Sequence, residues 1–201
     1  MTTPNPHDEV ARARADYQAA EEELLALRQR MLAIKRRLVA ADPVPLPDYR
    51  FQTGDGTVGL AELFGDKQDL LVIHNMGRGC SYCTLWADGF QGLLPHLEDR
   101  TAVVLSSPDL PEVQRDFAAS RGWGYRMVSV ADSPFAQDLG FKEEDGYWPG
   151  VSAFRRQPDG SIVRVAADYF GPGDVYCGAW HLYDLLADGA DGWQPRFAYG
   201  G

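Results

Sequence analysis

The sequence predicts an α/β domain with a mixed central sheet, preceded by a long amphipathic helix. Two observations carry this prediction. After about residue 49, apolar runs typical of buried strands alternate with segments of helical period, a pattern that packs helices against a sheet. Before that point, apolar residues recur at steps of three and four, which is the helical period alone.

The composition is that of an ordinary globular protein. Its 201 residues are 45% hydrophobic and 24% charged, enough for one domain with an appendage. The net charge of -10 repels phosphate backbones and anionic lipid surfaces, so neither a nucleic-acid nor a membrane partner is expected. Since the N terminus lacks a signal-like pattern and no apolar run has bilayer length, we expect a cytoplasmic location.

The N-terminal helix carries an apolar seam made of Tyr17, Ala20, Leu24, Leu27, Met31, Ile34 and Leu38. Repeated prolines then bar helical continuation. We therefore divide the chain into a helical arm (1–42), a proline-rich linker (43–48), a domain (49–190) and a tail (191–201). The seam can dock on its own domain or form a homodimer with a second copy, and the sequence leaves both open.

The domain begins with two short strands, 49–53 and 56–58, around a Gly-Asp-Gly turn. A helical turn over 60–64 precedes the most informative segment. Asp69 to His74 is a continuous apolar run typical of a central strand, and the glycine-rich residues 76–79 follow it directly. The pair Cys80 and Cys83 then opens the next helix.

The remaining elements complete the mixed sheet. We predict a strand over 101–106, a helix over 110–121 and a strand over 125–130. Two further strands, 151–156 and 161–165, flank the turn Gln157-Pro158-Asp159-Gly160 and so form an antiparallel hairpin. A last helix is expected from about Val175 to Ala187.

This order of elements, with C-x-x-C at the first strand-to-helix junction, resembles the thioredoxin-like proteins that carry an N-terminal strand extension. More narrowly, Met76-Gly77-Arg78-Gly79-Cys80-Ser81-Tyr82-Cys83-Thr84-Leu85-Trp86-Ala87-Asp88-Gly89-Phe90 looks like the signature of a bacterial thioredoxin-like family of unknown function. The resemblance covers nearly the whole chain. It implies a three-layer thioredoxin-like fold and dithiol-disulfide oxidoreductase activity.

Disulfide exchange needs a thiolate, and a cysteine at a helix N terminus has free backbone N–H groups to stabilise it. Cys80 is at that position and is the expected nucleophile. Cys83 lies one helical turn further on, where it can attack the mixed disulfide. The function expected is a thiol-disulfide oxidoreductase with a protein or small-molecule disulfide as substrate, a thiol or reductase as electron donor, and no cofactor.

Residues near the dithiol are candidates for substrate binding. Gly79 permits close approach of a partner, Arg78 adds positive charge, and Tyr82 lies between the two cysteines. Ordinary thioredoxins have tryptophan in place of Gly79, and glycine-proline in place of Ser81-Tyr82. The partner range is therefore open.

The resemblance implies three further site residues. His74 precedes Cys80 by six residues, the spacing at which thioredoxins place the acidic group that shuttles the proton of the resolving thiol, and histidine can do this near neutral pH. A satisfied core histidine is the alternative. Pro149 is expected to form the cis-proline loop that binds substrate backbone, with Trp148 beside it.

Three alternatives remain. Cys80, Cys83, Cys177 and His181 could in principle hold zinc, but the halves are far apart in sequence and no metal is expected. A thiol-dependent peroxidase of the peroxiredoxin type would show P-x-x-x-T-x-x-C, whereas this chain has Ile73 and Gly77 at the first two positions. A non-catalytic partner-binding module is the third.

Overall fold

The computed structural model describes residues 6–41 and 46–200, and the chain divides into two compact units, Met1–Pro43 and Val44–Gly201. The described part of the first unit is one long helix, α1 (Pro6–Ala41), as predicted. It begins at a proline, whose fixed φ and missing N–H suit a first helical turn. No helix in the described ranges combines the length and apolarity that a bilayer crossing requires.

The second unit begins with a β-hairpin, continues with a mixture of strands and helices, and ends with a second hairpin and a short helix. The elements are β1 (Arg50–Thr53), β2 (Gly56–Gly59), a 3-10 helix (Leu60–Phe64), β3 (Asp69–His74), α2 (Ser81–Gln91), α3 (Leu94–Arg100), β4 (Ala102–Ser107), α4 (Pro111–Arg121), β5 (Arg126–Ser129), α5 (Phe135–Asp138), β6 (Lys142–Glu143), β7 (Gly146–Tyr147), β8 (Gly150–Arg156), β9 (Ile162–Tyr169) and α6 (Gly178–Tyr183).

Seven strands form one mixed sheet in the order β2-β1-β5-β4-β3-β8-β9. The central strands β3, β4 and β5 are parallel. The β1–β2 hairpin extends the sheet beyond β5, and the β8–β9 hairpin extends it beyond β3, both in antiparallel pairing. The predicted mixed sheet and its N-terminal strand extension are confirmed.

Each face of the sheet has its own apolar cluster, because successive strand residues point to opposite faces. On β4, Val104 belongs to the first cluster, together with the 3-10 helix and Phe135 of α5. Val103 and Leu105 belong to the second, with Trp86 of α2 and Trp180 of α6. Helical elements therefore cover both faces, which is the predicted three-layer arrangement.

The structure differs from the sequence prediction in its short elements. α3, α5 and the β6–β7 ribbon were not predicted, and α6 is shorter than the expected 175–187. Asp174 explains where α6 begins. Its carboxylate accepts hydrogen bonds from the backbone N–H groups of Tyr176 and Cys177, and such a local turn competes with helical hydrogen bonding.

Candidate active site

The two cysteines of the C-x-x-C pair lie together at the start of α2. Cys80 is the N-cap residue of the helix, with an extended backbone, and its sulfur accepts a hydrogen bond from the backbone N–H of Cys83 at 3.1 Å. Cys80 is partly exposed, whereas Cys83 is buried. Because the first-turn N–H groups and the helix dipole favour negative charge, this geometry stabilises a Cys80 thiolate.

The two thiols have opposite pKa shifts. Hydrogen bonds from the Cys83 thiol and from the backbone N–H groups of Cys83 and Tyr82 outweigh burial and lower the pKa of Cys80 to about 6. The hydrogen bond to Cys80, burial and the adjacent charge raise the pKa of Cys83 above its ordinary value. At neutral pH the pair therefore holds one thiolate, on Cys80, and one protonated thiol, on Cys83.

The loop between β3 and α2 contacts the dithiol through Asn75, which was not among the predicted site residues. Its side-chain carbonyl accepts from the backbone N–H of Gly77 at 2.8 Å, and its amide donates to the carbonyl of Cys83 at 3.5 Å. The next residue, Met76, donates its backbone N–H to the Cys83 sulfur at 3.4 Å. The loop thus holds Cys83 by its backbone and its sulfur.

Asp109 anchors the same loop from outside. Its carboxylate accepts a hydrogen bond from the backbone N–H of Arg78 at 2.7 Å. Gly77 has a φ of +99°, and a Cβ there would lie 2.9 Å from a carboxylate oxygen of Asp109, so only glycine fits. Sequence offered one signal: Asp109 follows β4, and the carboxyl ends of the parallel β3 and β4 meet at one edge of the sheet.

His74, the predicted proton shuttle, contacts other partners. Its Nε2 lies 2.9 Å from the Ser152 hydroxyl, and its ring stacks on Phe141 at 3.7 Å between centroids. The side chain follows Leu70 and Val72 on the face of the first cluster, opposite the face that α2 covers. Burial and the charge of Arg164 lower the pKa of His74 to about 3, so the ring is neutral at physiological pH.

Trp148 and Pro149 lie at the same end of the sheet as the dithiol loop. Gly150, the first residue of β8, pairs with His74, the last residue of β3, so the two preceding residues are level with the start of the loop. The expected cis peptide at Pro149 is wrong: every described peptide bond is trans. The Pro149 carbonyl accepts from the N–H of Phe170, which ties this segment to the end of β9.

The remaining predicted substrate-binding residues differ in how exposed their side chains are. Arg78 and Gly79 are exposed beside the partly exposed Cys80. Tyr82 is half-buried instead, with its ring 6.1 Å from that of Trp86 and 6.3 Å from that of Trp180. The tyrosine therefore joins the second apolar cluster.

Cys177 and His181 lie in the α6 region. Cys177 is buried in the second cluster, and His181 has Asp184 as its charged neighbour, 4.0 Å away. Within residues 6–41 and 46–200, no group of three or more histidine, cysteine, aspartate or glutamate side chains is arranged to hold a metal ion.

A family model described as "Bacterial protein of unknown function (DUF899)" matches residues 1–196. The chain belongs to this family. Among curated proteins, none matches the chain in sequence.

Solved structures with a similar fold include peroxiredoxins. A bacterioferritin comigratory protein of Xanthomonas campestris, described for its alkyl peroxide reduction activity, is 20% identical with a TM-score of 0.52, covering 64% of this chain and 87% of its own. Peroxidoxin BcpB of Mycobacterium tuberculosis is 20% identical with a TM-score of 0.52, covering 63% of this chain and 84% of its own. Reduced Prx3 of Vibrio vulnificus in complex with H2O2 is 16% identical with a TM-score of 0.52, covering 66% of this chain and 86% of its own. At these identities the likeness establishes the fold alone, which is thioredoxin-like, as predicted.

Proposed function

We propose that this member of the DUF899 family is a thiol oxidoreductase in which Cys80 is the nucleophile and Cys83 the resolving thiol. One observation carries the proposal: the Cys80 sulfur accepts the backbone N–H of Cys83 at the N-cap of α2, where its pKa falls to about 6. The thiolate is the reactive form of cysteine. In the catalytic cycle, the dithiol loses two electrons to the substrate and becomes a Cys80–Cys83 disulfide, which an external thiol or reductase then reduces.

A peroxide is the first candidate electron acceptor. The Cys80 thiolate attacks one peroxide oxygen and the O–O bond breaks, so Cys80 becomes a sulfenic acid while the departing alkoxide or hydroxide takes a proton from solvent and leaves as alcohol or water. Cys83 then attacks the Cys80 sulfur, and water leaves as the disulfide forms. The peroxiredoxin-like fold supports this candidate. Against it, Ile73 and Gly77 occupy the proline and threonine positions of the P-x-x-x-T-x-x-C pattern.

A disulfide is the second candidate. The Cys80 thiolate attacks one substrate sulfur, the substrate S–S bond breaks, and one substrate thiolate leaves. Cys83 loses its proton and attacks Cys80, which releases the second substrate thiol. The spacing of the two cysteines, one helical turn apart, and the open approach past Arg78 and Gly79 support this candidate. The neighbouring Trp148 and Pro149 would contact the substrate chain.

One pair of variants separates the two acceptors. Cys83→Ser removes the resolving thiol, so the first covalent product on Cys80 accumulates. Treated with H2O2 or an alkyl hydroperoxide, a peroxidase gives a sulfenic acid that dimedone labels. Treated with insulin or oxidised glutathione, a disulfide reductase gives a mixed disulfide. Mass spectrometry identifies each adduct, and Cys80→Ser, which should give neither, is the control.

The rates decide which reaction is the function. The physiological substrate class should oxidise the protein to the Cys80–Cys83 disulfide at least about 10²-fold faster than it oxidises a small-molecule thiol at equal thiolate concentration. If neither substrate does so, and the two thiols do not pair in oxidised glutathione, the proposal fails. A non-catalytic partner-binding module is then the better description.

The proton-shuttle role of His74 stays a prediction, and its contacts favour a structural role. Because its hydrogen bond is to Ser152 and its ring stacks on Phe141, we expect His74→Ala to lower the free energy of unfolding by about 2–4 kcal/mol. A structural histidine would slow both thiol steps alike. A shuttle would slow only the attack by Cys83, which stopped-flow measurement of the two steps can detect.

A further inference from the structure

The helix α1 exposes a row of apolar side chains. Residues of its seam are between 39% and 65% exposed: Tyr17, Leu24, Leu27, Met31 and Ile34. An apolar row of this length on one helix is unusual for a protein in water, and a partner helix buries such rows in coiled coils. The side chains of the seam and the charged residues on its flanks indicate which partner helix would bury this row.

The seam of one α1 helix is complementary to the seam of a second α1 helix that runs antiparallel to it. If a second copy of α1 runs antiparallel, with the midpoint between residues 25 and 26, Leu24 meets Leu27 and Tyr17 meets Ile34 of the second copy. Ala20 then meets Met31, so a small side chain faces a large one. In a parallel pair Ala20 would face Ala20, which leaves a void that close-packed interiors avoid.

The charges on one flank of the seam are segregated along the helix. The flanking residues are Asp16 and Glu23 in the first half, then Arg30 and Arg37 in the second. In the antiparallel register, Glu23 lies opposite Arg30 and Asp16 lies opposite Arg37 of the second copy. By symmetry each pair occurs twice, and flanking charges of this kind set the orientation of helix pairs.

The other flank contributes less. Glu21 lies opposite Arg28 in the antiparallel register, which is attractive, and Arg14 lies opposite Lys35, which is repulsive. The antiparallel pair therefore has three attractive kinds of contact and one repulsive kind.

A parallel pair would instead join each residue of the first flank to the residue five positions later on the second flank. Those contacts are two attractive kinds, Glu23 with Arg28 and Glu9 with Arg14, and two repulsive kinds, in which Asp16 meets Glu21 and Arg30 meets Lys35. The parallel contacts cancel, so the charges select the antiparallel arrangement. We propose that α1 is a dimerisation helix that pairs antiparallel with α1 of a second copy of this chain.

The first test is the mass of the full-length reduced protein by sedimentation equilibrium. We expect a dimer of the 22.2 kDa chain. Leu24→Glu with Leu27→Glu places charges at the centre of the seam and should weaken association by more than about 10²-fold. Circular dichroism and Cys80 labelling of this variant report whether helix and domain remain folded. A wild-type chain that stays monomeric, with α1 on its own domain or alone, overturns the proposal.

The second test is a charge exchange that reads the orientation. Glu23→Arg and Arg30→Glu should each weaken the dimer by about tenfold, since each replaces two attractive contacts by two repulsive ones. The double variant restores both contacts and should recover the wild-type dissociation constant. In a parallel dimer, Arg30→Glu would instead face Lys35 and tighten association, and this result also overturns the proposal.

Matched controls exclude a general charge effect. Glu22→Arg and Arg36→Glu make the same charge changes on the outer face of α1. None of the four substituted positions has a charged residue three or four places away along the helix, so intrahelical pairs are unaffected. These positions are Glu22, Glu23, Arg30 and Arg36. The controls should associate as the wild type does, and a control that weakens the dimer as much as its seam counterpart contradicts the proposed register.

Discussion

Two cysteines occupy the same backbone position in two helices of this protein, and they differ in chemistry. Cys80 is the N-cap of α2, and Cys177 is the N-cap of α6, both with an extended backbone. The pKa of Cys80 falls to about 6. Burial raises the pKa of Cys177 instead, although the backbone N–H groups of Ala179 and Trp180 act in the opposite direction.

The difference lies in what each sulfur contacts. The Cys80 sulfur accepts a backbone N–H at 3.1 Å and has a second thiol beside it, while it stays partly open to solvent. Cys177 makes no capping hydrogen bond with its side chain and lies in an apolar cluster. A helix N terminus therefore lowers the pKa of a thiol only where hydrogen bonds to the sulfur outweigh the cost of removing charge from water.

An aspartate holds each of the two cysteine loops. Asp109 accepts the N–H of Arg78 in the loop before Cys80. Asp174 accepts the N–H groups of Gly171, Tyr176 and Cys177 itself. The same device thus supports one thiol of lowered pKa and one thiol of raised pKa.

The largest expected difference is in alkylation. At pH 7 a thiol of pKa about 6 is roughly 90% thiolate, whereas a buried thiol of raised pKa is almost wholly protonated. Cys80 should therefore react with iodoacetamide at least about 10²-fold faster than Cys177 in the folded, reduced protein. Its rate should fall as the pH drops through about 6.

Mass spectrometry of labelled peptides over a pH series measures both expectations. Urea-unfolded protein is the control, since the two cysteines should then react at similar rates. Equal labelling of Cys80 and Cys177 in the folded protein would contradict the predicted difference in their reactivity.

A smaller difference is expected for the two aspartates. Asp109→Ala removes the anchor of the loop that donates to the Cys83 sulfur, so formation of the Cys80–Cys83 disulfide should slow by about tenfold. Asp109→Asn keeps an oxygen acceptor and should recover most of the rate. Asp174→Ala should lower the free energy of unfolding by about 1–2 kcal/mol and leave Cys80 labelling unchanged.

Stopped-flow oxidation and urea unfolding measure these effects. A loss of stability without a change in disulfide formation in Asp109→Ala would show that the loop needs no anchor for chemistry.

The smallest expected effect is on the pH dependence of stability. The pKa of Cys80 is lower in the folded protein, about 6, than in the unfolded chain, where it is about 8.5. Between these values the unfolded chain holds the extra proton, so stability rises with pH and is lost as the pH falls through 6. After allowance for solvent screening, we expect about 1 kcal/mol between pH 6 and pH 8.

Urea unfolding of the reduced protein at pH 6 and pH 8 tests this, with Cys80→Ser as the variant that should lose the increment. Cys177→Ser is the matched control. Since the pKa of Cys177 is raised on folding, its contribution is complete below its unfolded value and is lost only at higher pH. An increment that survives in Cys80→Ser would assign it to another group.

Local pattern was enough to predict most of the fold. The strand Asp69–His74, the helix opened by Cys80 and the β8–β9 hairpin all follow from apolar runs, caps and turn residues within a few positions of one another. The same is true of α1, whose period spans the whole helix. Such elements depend on neighbours in sequence, and a sequence shows those neighbours directly.

The surroundings of the dithiol depend on residues distant in sequence. The spacing of six residues predicted a proton shuttle at His74, whereas its partner Ser152 is brought near only by the pairing of β3 with β8. Asp109 reaches the loop because β4 lies beside β3. The trans peptide at Pro149 is the ordinary local preference of a bond before proline, and the cis expectation came from the resemblance alone.

The sequence by itself therefore determined which thiol lies at a helix N terminus, because a C-x-x-C pair after a buried strand places Cys80 there. Only the tertiary structure decided how that thiol differs from Cys177, which has the same backbone position. The physical reason is that a pKa follows from the balance of hydrogen bonds and burial around one atom, and strand pairing and helix packing, not sequence spacing, set that balance.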